Sequence, residues 1–327
     1  MRRRDLITLL GGAAVAWPLT ARAQQPAMPV VGLVSAGSAE VYAREVAAFR
    51  EGLNETGTIE GQNVTVEYHW MEDRFDQMPL VMTDLVRRQV DVIATPGTVP
   101  SLAAKAATAT IPIVFGAGAN PVQLGLVASL ARPGGNATGV NFLVSEVVTK
   151  RLRLLHDLVP KGVRVAVLVN PANASITAST LQEVREAAPT IGLQTQTLNA
   201  STIGEIDAAF AALARAHLDA LFVAPDGFFF SRAAQFVTLT ARDKIPASYD
   251  NRHFVEPGGL MSYGTNLADY WHQVGVYTGR ILKGAKPADL PVVQSTKFEF
   301  VINLQTARTL GIEVLPGILS IADEVIE

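Results

Sequence analysis

Asp226 closes the apolar run Leu221-Phe222-Val223-Ala224-Pro225. A carboxylate left at the end of a buried strand either caps a turn or pairs with a cationic group, and in a dry cleft such charge-assisted hydrogen bonds are strong. Phe228, Phe229 and Phe230 follow at once. Three adjacent aromatics cannot all face a core from one helical turn, which leaves one or more to pack on an apolar group. The chemistry these residues suit is the holding of an ammonium group beside an apolar body.

Catalysis leaves no comparable trace. The five histidines, His69, His156, His217, His253 and His272, show neither HExxH nor another zinc spacing, and no Gly-x-Ser-x-Gly elbow marks a nucleophile. The chain has no cysteine, which excludes disulfides, thiolate nucleophiles and cysteine metal sites. Gly116-Ala117-Gly118-Ala119-Asn120 has the start of a dinucleotide loop but lacks the third glycine and follows a fourth strand instead of a first. No cofactor or metal is expected.

The elements that must position Asp226 read as alternating short β-branched strands and amphipathic helices, the pattern of parallel sheets covered by helices. Strands are expected at 30–35, 63–68, 91–95 and 111–115. Tyr42, Val46, Phe49 and Leu53 form the apolar face of the first helix. The same order recurs in the second half, where 165–170 matches 30–35, 219–226 matches 91–96 and 245–249 matches 111–115. The expected fold is α/β, two doubly wound parallel-sheet lobes joined by a multi-strand hinge. Lobe 1 takes residues 28–145 and 250–290, and lobe 2 takes 146–249 and 291–327. Hinge segments are expected at 141–146, 250–257 and 287–294, and closure about them is the motion the layout permits.

Open parallel sheets bind ligands at the carboxyl ends of their strands, where loops meet helix N-termini. In lobe 1 those ends offer Ser35, Ser38, Thr95, Gly97, Thr98, Asn120, Asn141 and Phe142. In lobe 2 they offer Asn170, Asn173, Asp226, Phe228 and Tyr249, with Tyr263 reaching the cleft or bracing the hinge. Ser38, Thr98 and Asn173 are equally suited to capping helices. Trp70 and Trp271 read as structural residues.

The N-terminus has the order of an export signal. Arg2-Arg3-Arg4-Asp5-Leu6-Ile7 leads into an apolar run from Thr8 to Leu19, and Ala21-Arg22-Ala23 offers small residues to a signal peptidase. Residues 1–23 are therefore expected to be a leader cleaved near Ala23, with a twin-arginine pattern beside the ordinary secretory alternative. Its removal takes four arginines and one aspartate and moves the formal charge from −3 to −6. The remaining basic residues are scattered, so no nucleic-acid partner is expected. No other apolar run reaches membrane-spanning length.

Five stretches stand out together: Arg3-Arg4-Asp5-Leu6-Ile7 with the residues to Gly12, Asn120-Pro121-Val122-Gln123-Leu124-Gly125, Arg132-Pro133-Gly134-Gly135-Asn136, Gly259-Leu260-Met261-Ser262-Tyr263-Gly264, and Ala322-Asp323-Glu324-Val325-Ile326-Glu327. By these the chain resembles the ABC-transporter substrate-binding proteins of the type I periplasmic-binding fold, a family with tryptophan- and tyrosine-binding members. The resemblance covers nearly the whole sequence. Many members have Gly-Asp-Pro-Val where this chain has Ala119-Asn120-Pro121-Val122. The resemblance implies a monomeric periplasmic receptor that is not an enzyme, binds an amino acid or analogue with an aromatic side chain, and hands it to an ABC permease and its ATPase. A sensory protein coupled to signalling, or an exported α/β enzyme, are the alternatives from other classes. An enzyme would need an acid–base pair or a metal, and the strand ends offer nothing beyond Asp226.

Overall fold

The computed structural model describes residues 28–72, 74–142 and 145–327. The expected leader lies outside them.

The first half alternates strand and helix: β1 (Val30–Ser35), α1 (Ala43–Glu55), β2 (Thr65–Trp70), α2 (Met78–Arg87), β3 (Val92–Pro96), α3 (Thr98–Ala107), β4 (Ile113–Ala117) and β5 (Ala137–Asn141). The second half repeats the pattern with α4 (Ser145–Leu158), β6 (Arg164–Val169), α5 (Ala174–Ile191), β7 (Gln194–Asn199), α6 (Ile203–Arg215), β8 (Ala220–Val223), α7 (Gly227–Ser231), α8 (Ala233–Asp243) and β9 (Ala247–Tyr249). The tail adds β10 (Met261–Thr265), α9 (Leu267–Leu282), β11 (Val293–Gln294), β12 (Phe298–Asn303) and, near the C-terminus, β13 (Glu324–Ile326).

Two sheets result. The first has the order β11-β5-β4-β3-β1-β2 and is parallel throughout, and the second has the order β13-β12-β10-β9-β8-β6-β7. In the second, β12 runs antiparallel to β10, and the other pairs are parallel. Each order reverses once, between β1 and β3 in one sheet and between β6 and β8 in the other. The crevice at such a reversal is where open α/β sheets bind ligands.

The internal repeat extends to single side chains. Asp91, just before β3, accepts a hydrogen bond from the Val30 amide at 2.7 Å. Asp219, just before β8, accepts from the amides of Val163 and Arg164 at 2.9 and 2.8 Å. In both lobes an aspartate ties the start of the third strand to the start of the first.

The tail departs from the expected boundaries. The sequence pattern places segment 250–290 in lobe 1, yet β10 lies in the second sheet, between β9 and β12. Leu260 and Met261 are needed there, because they fill a core with Leu154, Leu158, Phe300 and Ile302. In return, α9 packs on α1, and β11 pairs with β5 in the first sheet instead of joining lobe 2. The chain therefore passes between the sheets after β5, between β10 and α9, and between β11 and β12. The expected hinge at 250–257 is instead a connection within the second lobe.

The contact between α1 and α9 is very close. A Cβ at Gly275 would stand 2.1 Å from the Phe49 carbonyl oxygen, and one at Gly52 would stand 2.1 Å from that of His272. This approach seats Tyr270 and Trp271, both buried, against the first sheet. Gly275→Ala should therefore force the helices apart and cost about 1–3 kcal/mol, the usual range for overpacking. Thermal denaturation checks this; a melting point equal to wild type would show that the helices are not held by this contact.

Candidate functional site

A cavity of about 310 Å³ lies between the two reversal points. From the first lobe it is lined by Ala36 after β1, Gly97, Thr98 and Val99 after β3, and Gly118 after β4, with Tyr42 and Phe142. From the second it is lined by Asn170 and Asn173 after β6, Asp226 after β8 and Asp250 after β9. Leu267, Tyr270 and Trp271 of α9 complete the wall.

Asp226 is the best-held polar group in the cavity. It is the N-cap of α7, and its Oδ1 accepts from the amides of Phe228 at 3.0 Å and Phe229 at 3.3 Å. Asn170 donates to the same oxygen at 2.9 Å, while Asn173 donates to Oδ2 at 2.9 Å. Asn170 is itself fixed, since its Oδ1 accepts from the Ala172 amide and the Ser201 hydroxyl. A carboxylate offers about four lone-pair sites. Three donors converge on Oδ1, and among the described residues one donor reaches Oδ2, so the second oxygen can still accept. Burial pushes the Asp226 carboxyl above its ordinary range, and the four hydrogen bonds act the other way. Both expected roles, turn cap and charged group in the cleft, therefore meet in one side chain.

Asp250, not singled out from the sequence, is the second carboxylate. Its Oδ1 accepts from Asn251 at 3.0 Å. Burial raises its carboxyl, opposed by the buried Arg151 guanidinium, with Asp226 adding to the rise. Tyr42 lies beside both acids. Its phenol is held above its ordinary value by burial, then by Glu45, Asp250 and Asp226. Its ring stacks on Phe230 at 4.6 Å and on Trp271 at 5.1 Å. The Phe230 stack crosses between lobes, as does the hydrogen bond between His253 Nε2 and Glu45 Oε1 at 3.0 Å. Phe142 meets Tyr270 at 4.9 Å. Of the three adjacent phenylalanines, Phe228 and Phe230 line the cavity, and Phe229 packs edge-on to Phe236 in the core.

Of the positions expected at the strand ends, Gly97, Thr98, Phe142, Asn170, Asn173, Asp226 and Phe228 line the cavity. Thr98 accepts from the Gly118 amide at 3.1 Å, and Asn173 makes no side-chain cap because its amide is turned to Asp226. The other expected residues are engaged elsewhere. Ser35, Thr95 and Asn141 are the final or near-final residues of their strands and point inward: Ser35 is fully buried, Thr95 meets Ser101 at 3.0 Å, and Asn141 donates to the carbonyls of Ala117 and Ala119. Ser38 accepts from the Val41 amide, and Asn120 accepts from the Val122 and Gln123 amides, so both close turns. Tyr249 is fully buried and stacks on Phe254 at 4.5 Å. Tyr263, half-buried, stacks on Phe298 and packs against the core that β10 and β12 share. Trp271, read as structural, lines the cavity as well as packing on Tyr42.

Two doubly wound sheets with a cavity between their reversal points are the architecture of the type I periplasmic-binding fold. Residues 14–326 match the ABC transporter substrate binding protein family, and the chain belongs to that family. The tyrosine-binding protein of Clostridioides difficile strain R20291 is 26% identical over 269 residues, covering 82% of this chain and 76% of that one. A Streptococcus pneumonia ABC domain in complex with L-Trp superposes with a TM-score of 0.84 at 25% identity, covering 91% of this chain and 99% of the other. A conserved domain protein of Vibrio cholerae gives the same TM-score of 0.84 and 25% identity over the same shares. The family is one of substrate-binding proteins and not of enzymes. Among the described residues, no group of three histidine, aspartate or glutamate side chains could hold a metal ion, and no helix is long and apolar enough to cross a membrane.

Removing the amides that face Asp226 should leave the burial effect less opposed. In Asn173→Ala the Asp226 carboxyl should titrate at a higher pH than in wild type, as followed by carbon NMR of the labelled side chain. An unchanged titration would mean that Asn173 does not stabilise the ionised form.

Proposed function

We propose that this chain is the periplasmic receptor of an ABC importer, and that it encloses an amino-acid-like, aromatic small molecule between its lobes by hinge closure. In this reading the leader at 1–23 directs export, the mature chain acts as a monomer, and a permease with its ATPase receives the bound solute. The observation that carries the proposal is the Asp226 carboxylate, with one oxygen able to accept, inside an aromatic cavity between two lobes. The ligand ammonium pairs with Asp226 Oδ2. The ligand's ring lies among Tyr42, Phe142, Phe228, Tyr270 and Trp271. For a carboxylate, the donors in reach include the hydroxyl of Thr98 and the first amides of α3, which opens at Gly97 without a side-chain cap. Tyrosine and tryptophan, the ligands named for the Clostridioides and Streptococcus proteins, support the aromatic assignment.

Calorimetric titration against the standard amino acids should give heat with aromatic members, and heat with none of them would end the assignment of ligand class. Asp226→Ala should lower affinity about 100-fold or more, as expected when one partner of a buried charged pair is removed; unchanged affinity would remove its role. Ammonium binding requires the ionised carboxylate, and burial raises the Asp226 pKa. Affinity should therefore hold near neutral pH and fall as pH drops through that raised value, with protons released on binding in the same window. Calorimetry in buffers of different ionisation enthalpy reads that proton count, and binding independent of pH down to the carboxylate range would contradict the pairing.

A further inference from the structure

We propose that Glu45 and His253 are positioning residues for the ligand cavity: they form a latch between the lobes that holds Tyr42 against Phe230 and sets how long an occupant stays. This rests on the reading that the lobes close about a hinge. Four side chains make the contact, two from each lobe. Tyr42 is the N-cap of α1 and Glu45 lies three residues on, so the two share one face of the helix. Opposite them, Phe230 stands on α7, and His253 on the 3-10 turn Arg252–Phe254 that follows β9. Phe230 stacks on Tyr42 at 4.6 Å, the His253 ring meets Phe230 edge-on at 4.6 Å, and His253 Nε2 lies 3.0 Å from Glu45 Oε1. Tyr42 and Phe230 line the cavity, and Glu45 and His253 stand behind them.

Each half of the latch is fixed in its own lobe. The Arg252 guanidinium, next to His253, donates to Glu256, Glu299 and Glu324 at 2.6, 2.5 and 2.8 Å, which ties the turn to β12 and β13. Asn251 caps that turn by accepting from the His253 amide at 3.1 Å. In the first lobe Trp271 stacks behind Tyr42 at 5.1 Å. Glu45 is 1% exposed, and among the described residues His253 is the one partner of its carboxylate, whose Oε2 is buried without a hydrogen bond. With His253 in place, closure exchanges water at Glu45 for a hydrogen bond; without it, closure buries an unpaired charge, which is costly. The other charged contact across the seam, Arg44 with Glu256 at 4.0 Å, joins side chains 46% and 44% exposed and contributes little. Position gives the latch leverage. β1, which leads to Tyr42, stands three strands from β5, where the chain crosses to the second lobe, and that is roughly 14 Å at ordinary strand spacing. A rotation of roughly 10° about the crossings would part the latch by roughly 2–3 Å, enough to break the hydrogen bond.

The test compares wild type with His253→Ala, His253→Gln, Glu45→Ala and the Glu45→Ala, His253→Ala double variant. The chain has no cysteine, so Glu51→Cys on α1 and Ala211→Cys on α6, both exposed, take spin labels selectively and report the distance between the lobes by pulsed electron resonance without any ligand. Stopped-flow dissociation of L-tyrosine gives the release rate. His253→Ala should lengthen the distance between the labels and speed release roughly tenfold or more, with association little changed, as when a buried charged group loses its partner. His253→Gln keeps a donor near the Nε2 position and should recover most of the wild-type behaviour, which a loss of packing alone would not. In the Glu45→Ala background, His253→Ala should add less than about twofold, since the two side chains act as one unit. An unchanged label distance or release rate in His253→Ala, or single effects that multiply in the double variant, would overturn the latch and leave the ligand reading standing. A distance that shifts while L-tyrosine and L-tryptophan bind none of the proteins would overturn the ligand reading and leave the latch.

Discussion

An ionised carboxylate inside an apolar cavity is costly unless hydrogen bonds or a counter-charge replace its water. At Asp226 the chain meets that constraint with four donors from two elements, the loop after β6 and the first turn of α7. The arrangement fixes the second lobe's reversal point. It holds β8's exit against β6's exit, starts α7 at Gly227, and thereby sends Phe228 and Phe230 into the cleft while Phe229 turns into the core. The carboxylate does not need a ligand for its fold. It keeps an oxygen able to accept one.

The first lobe supplies the complementary wall. Tyr42 ends the loop after β1 and stacks on Trp271 of α9, which can reach it because Gly52 and Gly275 let α1 and α9 approach so closely. Phe230 then stacks on the other side of the cleft, and His253 reaches Glu45. The tail's return from β10 to α9 is thus what carries an aromatic wall from the far end of the sequence to the first lobe's rim.

The element order was legible because parallel strands buried on both faces leave continuous β-branched runs, and because the two halves repeat them in order, down to Asp91 and Asp219. Asp226 was legible because a charged residue ending such a run stands out. The rim was harder. Ser35, Thr95 and Asn141 are the polar residues at the strand ends, but pleating turns them inward, and the lining begins a residue or two later at Ala36, Gly97 and Phe142. The same offset puts Asp250, and not its neighbour Tyr249, in the lining. Tyr42, Tyr270 and Trp271 carried the signal of a helix's buried face, and periodicity alone does not separate a face buried on a sheet from one that also borders a cavity. The destination of β10 was hidden because it depends on pairing with β12, almost forty residues away.

The central claim, that Asp226 is the cation-holding group of the cleft, is tested most directly by a crystal structure of the protein with the ligand it carries on purification, identified by mass spectrometry of the same sample. The account predicts a ligand nitrogen within hydrogen-bonding distance of Asp226 Oδ2, with the ring of that ligand among Tyr42, Phe228 and Trp271. A ligand bound outside this cavity, or one that turns a neutral or anionic group toward Asp226, would contradict it.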